Sequence, residues 1–207
     1  MTQRLISQHG MALPTLMVML AMASLVALVA LRNLWVNDQL LNAEADQLRT
    51  QRQAEAVLPI AVQDIVGNAP SNLRHTVGSA NDTHVFFPNT VADYSVLQQR
   101  LGAAVCQAGI CAPSSPITAS AQKASDWKAQ TQTAIAISAT DSPYGANTAW
   151  YWVEVFPEEN TGAFVYRITT LAQGVLPSST HVLQAIWKRS TPTSLSGQWH
   201  SWRVLND

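Results

Sequence analysis

Charge is scarce in this chain. Only 12% of its 207 residues are Asp, Glu, Lys or Arg, about half the usual share, and 12 basic side chains nearly cancel 13 acidic ones. No basic cluster stands out, so no nucleic-acid partner is expected. Cysteine is almost missing too. The only two, Cys106 and Cys111, sit in CQAGIC, with no second Cys or His pair nearby to complete a tetrahedral metal site. The four residues between them also rule out a catalytic Cys-x-x-Cys. Five histidines, His9, His75, His84, His181 and His200, are scattered along the chain. There is no carboxylate pair, no Gly-rich phosphate loop and no Ser-His-Asp grouping. Asn81-Asp82-Thr83 and Asp141-Ser142-Pro143 lack the alternating oxygens of a calcium loop and read as turns. No enzymatic activity, cofactor or metal is therefore expected.

What the chain does have is a long apolar run near its start. The polar stretch MTQRLISQHG is followed directly by twenty-one uncharged residues, Met11 to Leu31. As a helix they rise about 32 Å, enough to cross the hydrocarbon core of a bilayer. A secretory signal or a plain single-span anchor also begins with an apolar run, and Ala21-Met22-Ala23 could serve as a signal-peptidase site. A conventional signal, however, places its apolar region before the cut and discards it. Here Gly10 precedes the apolar stretch, so cleavage after Gly10 keeps that stretch in the mature protein.

No Gly or Pro interrupts the chain between the apolar run and Pro59. Leu34, Leu41, Ala45 and Leu48, continued by Ala54, Leu58, Ala61 and Ile65, form one stripe at helical spacing. Asp38, Glu44, Asp46, Arg49, Arg52 and Glu55 fall mostly off it. Pro59 predicts a kink or a break, and Gly67-Asn68-Ala69-Pro70 ends the segment. Beyond it, Asp93 to Val105 reads as a short helix presenting Val96, Leu97, Leu101 and Val105. Cys106 to Ala124 reads as loop, and Thr133 to Ala139 as a strand. The last sixty residues carry four runs rich in β-branched and aromatic residues: Thr148–Phe156, Ala163–Gly174, Thr180–Ser190 and Gln198–Leu205. Tight connections between them predict an antiparallel meander. In the first run Tyr151, Val153 and Val155 share one face, while Trp150, Trp152, Glu154 and Phe156 share the other.

Taken in order, these features resemble the type IV pilin family. The Gly10-Met11 junction matches the prepilin cleavage site. YRITTLAQG followed by THVLQAIWKR, with CQAGIC and Trp127 upstream, is similar to the PilX-like minor pilins. The resemblance implies an α+β pilin fold, in which a long N-terminal helix packs on a C-terminal antiparallel sheet of about four strands. It divides the chain into a leader (1–10), a transmembrane half-helix (11–31), an amphipathic half-helix (32–66) and a globular domain outside the cytoplasm (67–207). It implies cleavage by prepilin peptidase between Gly10 and Met11, with N-methylation of Met11. The expected location is the inner membrane, single-pass with the C-terminal domain in the periplasm, and then the pilus fibre. The partners implied are other minor pilins, the major pilin, the prepilin peptidase, the inner-membrane assembly platform and a tip adhesin. In an exported chain, Cys106 and Cys111 read as a disulfide. One position departs from the family pattern. Thr15 stands where most pilins carry a glutamate, which implies a subunit near the tip rather than in the fibre body. A type II secretion pseudopilin and a tip adhesin or other ligand-binding module are the alternatives.

Overall fold

The computed structural model describes residues 12–67, 84–104, 106–113, 123–137, 148–158, 162–176, 178–191 and 194–205. The chain divides into two compact units, Met1–Glu44 and Ala45–Asp207. Helix α1 covers Ala12–Ile65. It is the one helix among the described residues that is long and apolar enough to cross a membrane, which is compatible with single-pass anchoring.

In the first unit, the described side chains of α1 from Leu13 onward are exposed along the whole apolar stretch. A polar side chain in such a stretch needs a local acceptor, and the Ser24 hydroxyl donates to the Leu20 carbonyl one turn back, at 2.8 Å.

The second unit is an α+β layer arrangement. Helix α2 (Val91–Leu101) begins with a capping box. Thr90 Oγ1 accepts from the Asp93 amide at 3.1 Å, and Asp93 Oδ2 accepts from the Thr90 amide at 2.9 Å. A short helix α3 (Ala124–Lys128) and a 3-10 turn (Thr131–Thr133) follow. The strands are β1 (Cys106–Gln107), β2 (Ile110–Cys111), β3 (Ile135–Ile137), β4 (Thr148–Pro157), β5 (Phe164–Gln173), β6 (Thr180–Arg189) and β7 (Gly197–Leu205). They form one sheet in the order β1-β2-β4-β5-β6-β7, with β3 also on β4. Strands β4 to β7 make the expected antiparallel meander, while β2 joins β4 in parallel.

Alternation along the strands separates two cores. Tyr151, Val153 and Val155 of β4 point to the α1 side, where they pack with Ala54, Val57, Leu58, Ala61 and Ile65 of α1 and with Leu97 and Leu101 of α2. Trp152 points the other way, into a cluster with Trp127, Leu171, Val182, Leu205 and the two cysteines. The face assignment read from the sequence is therefore the observed one.

Two expectations need correction, and a third, the kink or break at Pro59, is narrowed. α1 continues through Pro59 to Ile65 without a break. Pro59 itself is exposed, and buried residues before and after it, Val57, Leu58, Ala61 and Ile65, hold both sides of the helix on the sheet. The buried stripe also differs at its start. Leu48 is 61% exposed, whereas Asp46, Thr50 and Gln53 are buried. Finally, the segment read as loop from Cys106 contains the two-residue strands β1 and β2, paired with each other and, through β2, with β4. Of the four residues expected on the second helix, Leu97 and Leu101 are buried, Val96 is exposed, and Val105 lies outside the described residues.

Candidate functional site

Gly10 and Met11, the expected cleavage pair, lie outside the described residues. Thr15 lies within the exposed apolar stretch of α1. Cys106 and Cys111 form a disulfide, with Cα atoms 4.0 Å apart. The bond closes the β1–β2 hairpin, whose turn has Ala108 and Gly109 at φ 44° and 74°. Gly109 has a second reason to lack a side chain, since a Cβ there would come within 2.8 Å of Ile135 and 3.2 Å of the Tyr151 carbonyl. The closed hairpin extends the sheet beside β4, and its two cysteines join the far-face cluster with Trp127, which meets Trp152 with ring centroids 5.1 Å apart. Trp152 Nε1 donates to Thr133 Oγ1 at 3.1 Å, so this buried indole is satisfied.

The start of the second unit holds a polar clamp that the sequence did not reveal. Asp46 Oδ1 accepts from the Val175 amide at 3.1 Å, and Oδ2 accepts from the Leu176 amide at 3.0 Å. The aspartate thus binds the β5–β6 turn to α1. Gly174 permits the approach, because a Cβ there would stand 2.5 Å from Asp46 Oδ2. Thr50 adds a bond from its hydroxyl to the Asp46 carbonyl at 2.7 Å. Further along the helix, Thr170 Oγ1 of β5 donates to the Ala54 carbonyl at 3.0 Å, and Tyr151 of β4 donates to Asp64 Oδ2 at 2.6 Å. Polar residues at core spacing therefore set the register of the helix on the sheet.

The Leu176 amide, helped by the Val175 amide and Arg49 and opposed by burial, holds the Asp46 carboxyl below its ordinary value. A carboxylate whose folded value is depressed contributes stability above its unfolded value and loses it as pH falls through the folded one. Asp46→Asn is thus expected to lower stability at pH 7 by about 1.5–3 kcal/mol and to flatten the acid limb below about pH 4. Denaturant unfolding of both chains across pH 2–7 measures this, and an unchanged acid limb contradicts it.

On the far face, Glu154 of β4 and Arg167 of β5 stand directly opposite in register. Both carboxylate oxygens accept from the guanidinium at 2.5 Å, and the Arg167 side chain lies 5.3 Å from the Phe156 ring centre. Burial holds half-buried His181 on β6 below its ordinary pKa, against the pull of Glu55. His200 is exposed on β7. Among the described residues no group of three or more His, Cys, Asp or Glu side chains could hold a metal ion.

The described residues therefore define an α+β domain in which Asp46, Asp64, Tyr151 and Thr170 tie α1 to the sheet, and an exposed apolar stretch of α1 comes before it in the chain. No protein-family model, curated protein or solved structure matches the chain.

Proposed function

We propose that the chain is a minor pilin of a type IV pilus, helping to prime fibre assembly and staying near the tip, in support of motility or adhesion. The observation that carries this reading is the order of parts at the N-terminus. A polar stretch ends at Gly10, and the apolar stretch after it begins a helix whose later turns build the core of an α+β domain.

The mechanism is packing, without a chemical step after processing. Met11 to Leu31 leaves lipid for a bundle of equivalent apolar helices. That exchange changes polarity little, and the driving force is close contact. Ala21, Ala23, Ser24, Ala27 and Ala30 are small enough to allow such contact. Thr15 places no carboxylate in the bilayer and so lacks the charge that would pair with a neighbour's terminal amine. This suits a subunit with one axial neighbour missing. The partners are other minor pilins, the major pilin, the assembly platform and a tip adhesin, and the location is the inner membrane followed by the fibre.

Deleting the gene tests the assignment against its nearest rival. Loss of surface pili and twitching motility, with exoprotein secretion intact, is the expected result. The reverse pattern makes the chain a secretion pseudopilin.

A further inference from the structure

Among the described residues, β7 has a strand on one side only. It pairs with β6 along Gly197–Leu205, and its outer row of backbone N–H and C=O groups faces no strand. Gln198 through Val204 are all exposed. The register explains why its apolar residues gather on one face. Val204 lies opposite Leu183, Trp202 opposite Ala185 and Trp199 opposite Trp187, and those β6 residues belong to the core beneath α1. The pairing slips between Ile186 and Trp187, so His200 is an extra residue and Trp199 and Trp202 share a face although three positions apart. Trp199, Trp202 and Val204 remain 49%, 69% and 45% exposed. Glu55, Leu58 and Pro59 on the flank of α1 form the opposite wall of a trough of about 510 Å³.

We propose that β7 is an acceptor edge for an extended strand donated by a different polypeptide, with apolar side chains on one face filling the trough between Trp199/Trp202 and Leu58/Pro59. Two features select that occupant. Past the bulge, the backbone donors and acceptors of Ser201–Leu205 form a regular row that another backbone about 4.8 Å away satisfies, whereas a lipid or glycan covers the tryptophans and leaves the row to water. The trough lies along one face of the edge, so it takes every second side chain of an added strand and leaves the others to solvent. A second copy of this chain fits poorly. The far side of its sheet ends in strands of two and three residues, and β7 against β7 sets one bulge against another. The inference does not depend on the pilus reading.

The test places p-benzoylphenylalanine in the full chain at Trp202 and, separately, at Val204, with photo-crosslinking in intact cells and mapping of each adduct by mass spectrometry. Both sites are expected to capture one segment of one other protein. The linked residue should shift by two when the probe moves by two, within a sequence of alternating apolar residues. Trp199→Ala should lower the yield about tenfold. Adducts to lipid, glycan or a second copy, scattered or helically spaced sites, or no adduct at all overturn the proposal. On the unmodified chain, outer-row β7 amides should exchange hydrogen about tenfold more slowly in native membranes than after purification. Equal rates overturn it as well.

Discussion

Gly10→Val is expected to leave the full 207-residue chain unprocessed in the membrane, and to abolish its entry into any fibre. A peptidase that cuts after Gly must seat that residue without a side chain, and a branched Val removes the fit. The effect should be confined to processing. The second compact unit begins at Ala45 and holds the disulfide and both cores. Its thermal unfolding and the Cys106–Cys111 bond should therefore match those of the parent. Gel mobility detects the ten-residue difference between precursor and mature chain. Normal maturation of Gly10→Val contradicts the account.

Arg167→Leu should have the largest effect on stability, a loss of about 3–5 kcal/mol. Glu154 is 1% exposed, and the variant takes away a guanidinium that binds both of its oxygens. The cost lies in the carboxylate left behind more than in the pair itself. Replacing both residues, as Glu154→Leu/Arg167→Leu, should thus recover most of the loss, because a well-packed apolar pair often does as well as a buried ion pair. Urea unfolding of the two variants separates these contributions. A single variant within about 1 kcal/mol of the parent, or a double variant as unstable as the single, contradicts this reading.

The meander from Thr148 to Leu205 was legible because each strand advertises itself through β-branched and aromatic residues in alternation, with turn residues between. The two faces of β4 followed from the same period. The first turns of the buried helix face were not legible. Asp46, Thr50 and Gln53 occupy core positions, yet their chemistry reads as solvent, since a sequence does not show the amides of Val175 and Leu176 that receive Asp46 from 129 and 130 positions away. The apolar Leu48 stood in for them, and it is exposed. Strands β1 and β2 escaped notice for another reason. Two-residue strands have no periodicity, and β2 is placed by its parallel pairing with β4, a contact between distant parts of the chain.

The disulfide was legible from the close spacing of the only two cysteines. The edge was only half legible. Of the seven tryptophans, Trp127, Trp152 and Trp187 are buried. Trp199 and Trp202 are not, because β7 ends the sheet among the described strands. Alternation alone does not distinguish a central strand from a terminal one.

The most direct test of the central claim is the N-terminal mass of the mature protein, from cells with and without prepilin peptidase. The account predicts a chain beginning at N-methylated Met11 when the peptidase is present, and an intact leader when it is absent. A leader retained in both, or a cut near Ala23, contradicts it.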